Sequence, residues 1–365
     1  MTGNSWRTGD VLGDTGPFGR GTGALLRRFR YSALTPEDCR AVAHHTARLA
    51  GCVALRGHWE DRYPEQPTRS GRRRVLLESV EELHRDRYLG DARWAALDLD
   101  AAQRVELCVL VGHIDLIAML CNSFDRTLDD TATVTPLRTG RSLDAPGWLL
   151  PDAPRLPPPS RSDIGVRTWL FSKGVGLLNG GGAVDGVDVF SRSPELFWSV
   201  VPFLVSLGPL RLGRELGELI TLRATWNVGS ECHCGHHGRA ARFIGLSESD
   251  IARIPDGPSA AGWSDAEVLA LTAVDELHER RSLSDMTWKS LTAAFGTRRI
   301  AEICLFTGNY EMLCMALNSF GIRFEPHAWQ GGAAAPLWSA LAHRGARRAA
   351  ARTARPHPEP IRRHR

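Results

Sequence analysis

One stretch of this 365-residue chain concentrates the side chains that could do chemistry. It runs from Glu218 to Gly245, and the segment from Ser230 to His237 has the sequence Ser-Glu-Cys-His-Cys-Gly-His-His. A serine that follows a glycine is a common helix start, and a later glycine is a common helix stop. The spacing therefore predicts a helix with Ser230 as its N-cap and Gly245 at its end.

A carboxylate and an imidazole in this stretch are spaced for proton transfer. Glu218 lies in a segment whose apolar residues recur at helical spacing, so a preceding helix can bring its carboxylate against the next one. On that next helix Ser230, Cys234 and His237 are expected to share a face, with His233 beside them. A buried carboxylate next to an imidazole can relay a proton, and Glu218 and His237 are therefore the predicted acid–base pair.

The start of the second helix offers groups that could hold a substrate. Glu231 falls in the first turn, where the helix dipole favours an anion. We predict that a small-molecule substrate is bound there by Ser230, Glu231 and Cys232. The predicted catalytic residues are Glu218, His237, His233 and Cys234.

These residues resemble the motif Glu…Cys-x-x-Cys-x-x-x-His…Gly of the carboxymuconolactone decarboxylase and alkylhydroperoxidase D family. The spacing puts Glu218, His237 and Gly245 on the glutamate, histidine and glycine, and Ser230 and His233 on the two redox cysteines. The sequence is closer to the branch whose motif is Ser-Glu-aromatic-Glu-Trp-x-x-His. The resemblance implies an all-α protein and a cofactor-independent lyase that acts on a small oxygenated organic acid or lactone by decarboxylation, isomerisation or ring-opening.

Two other functions stay open at this point. The protein could be a thiol-dependent peroxidase that uses Cys232 or Cys234, or a non-catalytic helical binding protein derived from the same family. Taken singly, His237 could be a hydrogen-bonded core histidine and Glu218 a salt-bridged helix residue. Their joint spacing with Gly245 favours the catalytic interpretation.

The same stretch contains enough donors for zinc. One helix spreads these donors around its axis, and no second pair of ligands completes a tetrahedron, so we predict neither a metal nor a cofactor. The donors are Cys232, His233, Cys234, His236 and His237.

Composition predicts a soluble globular protein. The chain is 43% hydrophobic and 24% charged, which is enough apolar material for two domains. It shows no signal peptide and no run of about 18 apolar residues, so we expect a cytoplasmic location and no membrane span. The eight cysteines are then expected to be reduced.

The formal net charge of +4 is set by the end of the chain, because the segment 344–365 carries eight arginines and one acid. A basic tail could touch nucleic acid, but an Ala/Arg/Pro-rich solvated end is the more common case, so a nucleic-acid partner is not predicted.

The chain contains an internal repeat. Val80–Trp94 matches Val274–Trp288 without a gap, and Glu106–Phe124 matches Glu302–Phe320. We predict two tandem helical domains, with possible homo-oligomerisation through them. The predicted divisions are a disordered leader (1–30), a first copy (31–130), a Pro-rich linker (131–163), a second copy (164–330) and an Arg/Ala/Pro-rich tail (331–365).

The first copy is predicted to be degenerate. Aligning His44 or His45 with His237 leaves no glutamate at the position of Glu218, and Leu26 falls there instead. The first copy is therefore expected to serve as a packing partner for the second copy.

Overall fold

The computed structural model describes residues 24–60, 71–125, 132–143, 146–178, 185–207 and 212–324, together with 340, 344, 347 and 348. Every regular element in this part of the chain is a helix, which confirms the all-α prediction. Most of the predicted leader and of the basic tail lies outside the described residues. Leu26 and Phe29 are buried in the core, so packing already begins within the segment predicted as leader.

Over its described residues, the first copy contains four helices followed by a long central one. They are α1 (Pro36–Leu49), α2 (Val53–Glu60), α3 (Arg72–Asp86), α4 (Asp91–Ala96) and α5 (Ala101–Asp125). Thr35 caps α1 by accepting from the Asp38 N–H, and Asp100 and Gln103 form a reciprocal cap at the start of α5.

The second copy ends with a helix of nearly the same length as α5. Its elements are α6 (Arg161–Leu178), α7 (Asp185–Phe190), α8 (Pro194–Ser206), α9 (Arg214–Asn227), α10 (Glu231–Ile244), α11 (Glu248–Ala252), a 3₁₀ helix (Ile254–Ser259), α12 (Asp265–Arg280), α13 (Asp285–Phe295) and α14 (Thr297–Phe320). Ser264 and Glu267 form a capping box at the start of α12.

Helices α5 and α14 cross at two glycines. A Cβ on Gly112 would lie 2.5 Å from the Met312 Cα, and one on Gly308 would lie 2.8 Å from the Leu116 Cα. Only glycine allows the two backbones to approach this closely. By length and hydropathy both helices could cross a membrane, but 94% and 89% of their apolar windows are buried inside the protein, as expected for core helices.

Equivalent residues of the two copies exchange equivalent hydrogen bonds across this crossing. The Leu89 N–H donates to the Ser319 hydroxyl at 3.1 Å, and the Leu283 N–H donates to the Ser123 hydroxyl at 3.2 Å. One continuous hydrophobic cluster contains residues of both copies. Because the core is shared, the division into separate domains stays a prediction.

Each copy also buries a histidine–carboxylate pair. His84 Nδ1 lies 2.8 Å from Asp115 Oδ1 in the first copy, and His278 Nδ1 lies 2.8 Å from Glu311 Oε1 in the second. All four side chains are almost inaccessible to solvent. These repeated histidines therefore join the helix before α4 or α13 to the central helix of the same copy.

The segment predicted as a linker packs along the second copy. The Thr135 N–H donates to the Glu279 carbonyl, and the Leu149 N–H donates to the Gly229 carbonyl just before α10. Arg155 donates to the carbonyls of Leu89 and Ser319. The described part of this segment is therefore an ordered strap that contacts both copies.

Candidate active site

A tight turn joins α9 to α10. Gly229 has a φ of 69°, and the Ser230 N–H returns to the Thr225 carbonyl at 3.0 Å. Ser230 is the N-cap of α10 and Gly245, at φ 115°, is its C-cap, as predicted. The turn reverses the chain, so that the side chains of α9 and α10 face one another.

Glu218 on α9 and His237 on α10 are hydrogen-bonded. His237 Nδ1 lies 2.6 Å from Glu218 Oε1, and the side chains are only 19% and 11% exposed. A carboxylate accepts hydrogen bonds, so the hydrogen of the neutral imidazole is assigned to Nδ1. In this tautomer Nε2 of His237 carries the lone pair.

Tyr310 on α14 forms one wall of the site. Its ring stands edge-to-face against His237, with centroids 4.7 Å apart, and against His233, with centroids 5.8 Å apart. Burial and the nearby Glu218 carboxylate raise the pKa of Tyr310, so its phenol is uncharged at neutral pH. Sequence reasoning missed Tyr310, although it differs from its counterpart in the first copy, Ile114.

His233 lies one helical turn before His237, and the two imidazole rings are parallel. Their centroids are 5.9 Å apart and the interplanar angle is 7°. Burial lowers the pKa of His233 well below its usual value, and His237 and His236 lower it further. His233 Nδ1 is buried and has no hydrogen-bond partner among the described residues. His233 is therefore a neutral member of the site.

The two cysteines of α10 point into different parts of the protein. Cys232 belongs to the large shared core. The Cys234 sulfur lies 3.3 Å from the Thr225 hydroxyl and packs in a second cluster with Trp226. Burial raises the pKa of Cys234 to about 12, so it is a thiol at neutral pH. In the part of the chain that the structure describes, Cys234 is hydrogen-bonded to Thr225 and His237 to Glu218, so the two side chains that the sequence predicts on one face have different partners.

The other predicted substrate-binding residues lie at the start of α10, away from the Glu218–His237 contact. Ser230 is fully buried beside Cys314 and makes no side-chain cap. Glu231 is 3.4 Å from Arg323 in an ion pair. The structure thus brings Glu218, His237 and His233 together and leaves the predicted substrate-binding set outside these contacts.

His236 faces a different neighbour from His233 and His237. Its ring stands edge-to-face against Phe324, with centroids 5.2 Å apart. Burial, with a further contribution from His237, lowers its pKa to about 4. Across the described ranges, no three His, Cys, Asp or Glu side chains are arranged to hold a metal ion.

Matching hydrogen bonds show which residues of the two copies correspond. The Leu34 N–H donates to Glu106 before α1, and the Leu212 N–H donates to Glu302 before α9. Likewise, Asn122 caps the Ala50 carbonyl at the end of α1, and Asn318 caps the Val228 carbonyl at the end of α9. Helix α1 is therefore the counterpart of α9, and α2 that of α10.

This correspondence corrects the alignment of His44 and His45 with His237. The turn Gly51–Cys52 matches Gly229–Ser230, which places Trp59 opposite His237 and Arg40 opposite Glu218. The expected lack of a glutamate in the first copy holds, but Arg40 and not Leu26 occupies its position.

The residue of the second copy that corresponds to His45 is Arg223. His45 Nε2 lies 3.0 Å from Glu81 Oε1, and Arg223 Nε lies 2.7 Å from Asp275 Oδ1. His45 thus joins α1 to α3 as Arg223 joins α9 to α12.

No model of a known protein family matches this chain, and neither the curated proteins nor the solved structures contain a match. The likeness to the carboxymuconolactone decarboxylase family therefore stays a prediction carried by the residues of α9 and α10.

Proposed function

We propose that the second copy is a cofactor-independent acid–base enzyme of the carboxymuconolactone decarboxylase-like type, acting on a small oxygenated organic acid or lactone. The hydrogen bond between Glu218 and His237 carries this proposal. The internal comparison supports it, because the first copy keeps the packing contacts but has Arg40 and Trp59 at these two positions.

The pair can move a proton in both directions. His237 Nε2 accepts a proton from a carbon next to a carbonyl group, and the imidazolium that forms is stabilised by the Glu218 carboxylate on Nδ1. The same nitrogen then returns the proton to the enolate, at the original carbon or at a conjugated one. Glu218 also fixes the ring orientation and tautomer throughout.

A thiol peroxidase is less well supported. A peroxide is attacked by a thiolate, but burial raises the pKa of Cys234 to about 12. Cys232 is buried in the core on another side of the helix, so the two sulfurs are poorly placed to form a disulfide.

The proposal can be tested with a general carbon-acid probe. The purified protein is incubated in D₂O with α-angelica lactone, and exchange of the acidic ring protons is followed by NMR. We expect catalysed exchange, which His237→Ala or Glu218→Gln should slow by roughly 10²–10⁴-fold.

His44→Ala and His45→Ala are the matched controls, since both histidines lie in the first copy. Circular dichroism and thermal unfolding check that every variant is folded. If the wild-type protein gives no exchange above buffer, or if only the first-copy variants lose it, the acid–base function of the second copy is wrong.

A further inference from the structure

His233 and His237 carry their hydrogens on opposite ring nitrogens. The Nδ1 of His237 donates to Glu218, which leaves Nε2 as a lone pair. The Nδ1 of His233 is buried without a partner, and an unsatisfied buried N–H is rarer than an unsatisfied acceptor. The hydrogen of neutral His233 is therefore assigned to Nε2.

The two parallel rings thus present complementary groups one helical turn apart. His237 offers a lone pair that can take a proton, and His233 offers an N–H that can donate to an oxygen. Removal of a proton from a carbon next to a carbonyl group uses both the lone pair and the N–H. The lone pair takes the proton, and the N–H stabilises the negative charge that builds on the oxygen.

The groups around His237 do not favour a negatively charged substrate. Among the described residues, the side chains that contact its ring are the Glu218 carboxylate, neutral His233 and the Tyr310 phenol. None of these three is a cation at rest, and the carboxylate would repel a second anion. Phe306 lies beside Tyr310, with ring centroids 6.0 Å apart, and adds an apolar side chain to the wall that Tyr310 forms.

We propose that this site takes an uncharged carbonyl compound, such as a lactone, and that the His233 Nε2–H donates a hydrogen bond to the carbonyl oxygen while His237 removes the neighbouring proton. This inference rests on the acid–base function proposed above and narrows its substrate class. His237 Nε2 binds the proton, the C–H electron pair forms the enolate double bond, and the carbonyl π pair moves to the oxygen. Reprotonation by the His237 imidazolium restores a neutral product.

The tautomers can be measured without any substrate. In protein labelled with ¹⁵N-histidine, long-range ¹H–¹⁵N NMR spectra at neutral pH distinguish the two nitrogens of each ring, and His233→Gln and His237→Gln assign the signals. We expect His233 to be neutral with hydrogen on Nε2 and His237 to carry hydrogen on Nδ1. A protonated His233, or a His233 hydrogen on Nδ1, overturns the inference whatever the activity.

The donor role can be tested in the lactone exchange assay. Leu55 stands at the position of His233 in the first copy, so His233→Leu is the natural variant without a donor. We expect it to slow exchange by about 10²-fold or more, as for loss of one oxyanion donor. His233→Gln, whose amide can reach the position of Nε2, should recover at least about tenfold of that loss. Equal rates for wild type and His233→Leu would overturn the proposal.

Substrate charge can be tested with a matched pair of probes. α-Angelica lactone is uncharged, and levulinate is its ring-opened carboxylate. Relative to the uncatalysed rates, we expect the protein to accelerate lactone exchange at least about tenfold more than levulinate exchange. A preference for levulinate would overturn the uncharged-substrate inference while leaving the acid–base function standing, whereas exchange of neither probe would overturn both.

Discussion

Arg87 Nε donates to Glu311 Oε2 at 2.8 Å, and this buried ion pair joins the first copy to the second. The equivalent arginine of the second copy, Arg281, has its Nε 3.6 Å from Oδ2 of Asp115 in the first copy. Each copy therefore supplies a carboxyl group that lies against its own histidine and against the arginine of the other copy. Burial raises the pKa of Asp115 to about 8, whereas the pKa of Glu311 is lowered.

We predict that Arg87→Met destabilises the protein by about 3–5 kcal/mol, because it leaves the Glu311 carboxylate buried without its cation. Although burial raises the pKa of Glu311, Arg87 and His278 hold it below its usual value, so the group is charged. Urea unfolding measures the change. Arg85→Met is the control, since Arg85 forms an exposed pair with Asp86 and should contribute less than about 1 kcal/mol. Equal effects of the two variants would contradict this account.

The glycine crossing gives a second prediction. Gly112→Ala and Gly308→Ala should each destabilise the protein by about 1–3 kcal/mol or more, because the new methyl group meets backbone atoms that cannot move aside. Gly174→Ala in α6 is the control, since nothing lies within 4 Å of its added Cβ. Thermal unfolding should show a lower Tm for the first two variants only. An unchanged Tm for Gly112→Ala would contradict the close approach of α5 and α14 at this glycine.

We predict that the free energy of unfolding falls in acid because His113 is buried in its neutral form. Burial lowers the pKa of His113 to about 3, whereas an unfolded histidine titrates near 6.5. Between these values only the unfolded chain binds the proton, so the free energy of unfolding decreases as the pH drops from about 6.5 toward 3. The slope is about 1.4 kcal/mol per pH unit for this residue.

His113→Phe tests this slope, because an aromatic ring can replace the imidazole that packs against Phe29 at a centroid distance of 4.3 Å. The variant loses the hydrogen bond to Tyr31, so its stability at pH 7 should be lower. Its stability should nevertheless decline less steeply than that of the wild-type protein in urea unfolding between pH 6.5 and 5. Parallel curves for the two proteins would show that His113 does not titrate in this way.

The protein should not reduce hydroperoxides with a dithiol as reductant. Burial of the Cys234 thiol suppresses the thiolate, and Cys232 lies in a different cluster. Consumption of cumene hydroperoxide in the presence of dithiothreitol should equal that of buffer, with or without Cys232→Ser. Rapid turnover that disappears in Cys232→Ser would restore the peroxidase hypothesis.

Local signals in the sequence were sufficient to predict both ends of α10 and one contact of the site. Ser230 follows a glycine and is the N-cap, and Gly245 ends the helix because glycine readily adopts the φ of 115° found there. Glu218 and His237 lie on consecutive helices that one tight turn joins, so helical spacing alone predicts that they meet.

Tyr310 and the correspondence of α1 and α2 with α9 and α10 could not be predicted in the same way. Tyr310 reaches the site only because α14 packs against α9 and α10, and nothing in its neighbouring sequence marks that packing. The alignment of His45 with His237 failed because it matched residue types. The structural correspondence follows the Gly51 and Gly229 turns, whose φ values are 59° and 69°.

The reciprocal contacts between the copies also bear on how this molecule can change over generations. In an assembly of identical subunits, any substitution occurs on both sides of the interface at once. Here Asp115 and Glu311 occupy equivalent positions but are encoded separately, as are Trp59 and His237. One copy can therefore lack the Glu218–His237 contact while still packing against the other copy, and a substitution near that contact does not have to be accommodated at the equivalent position of the first copy.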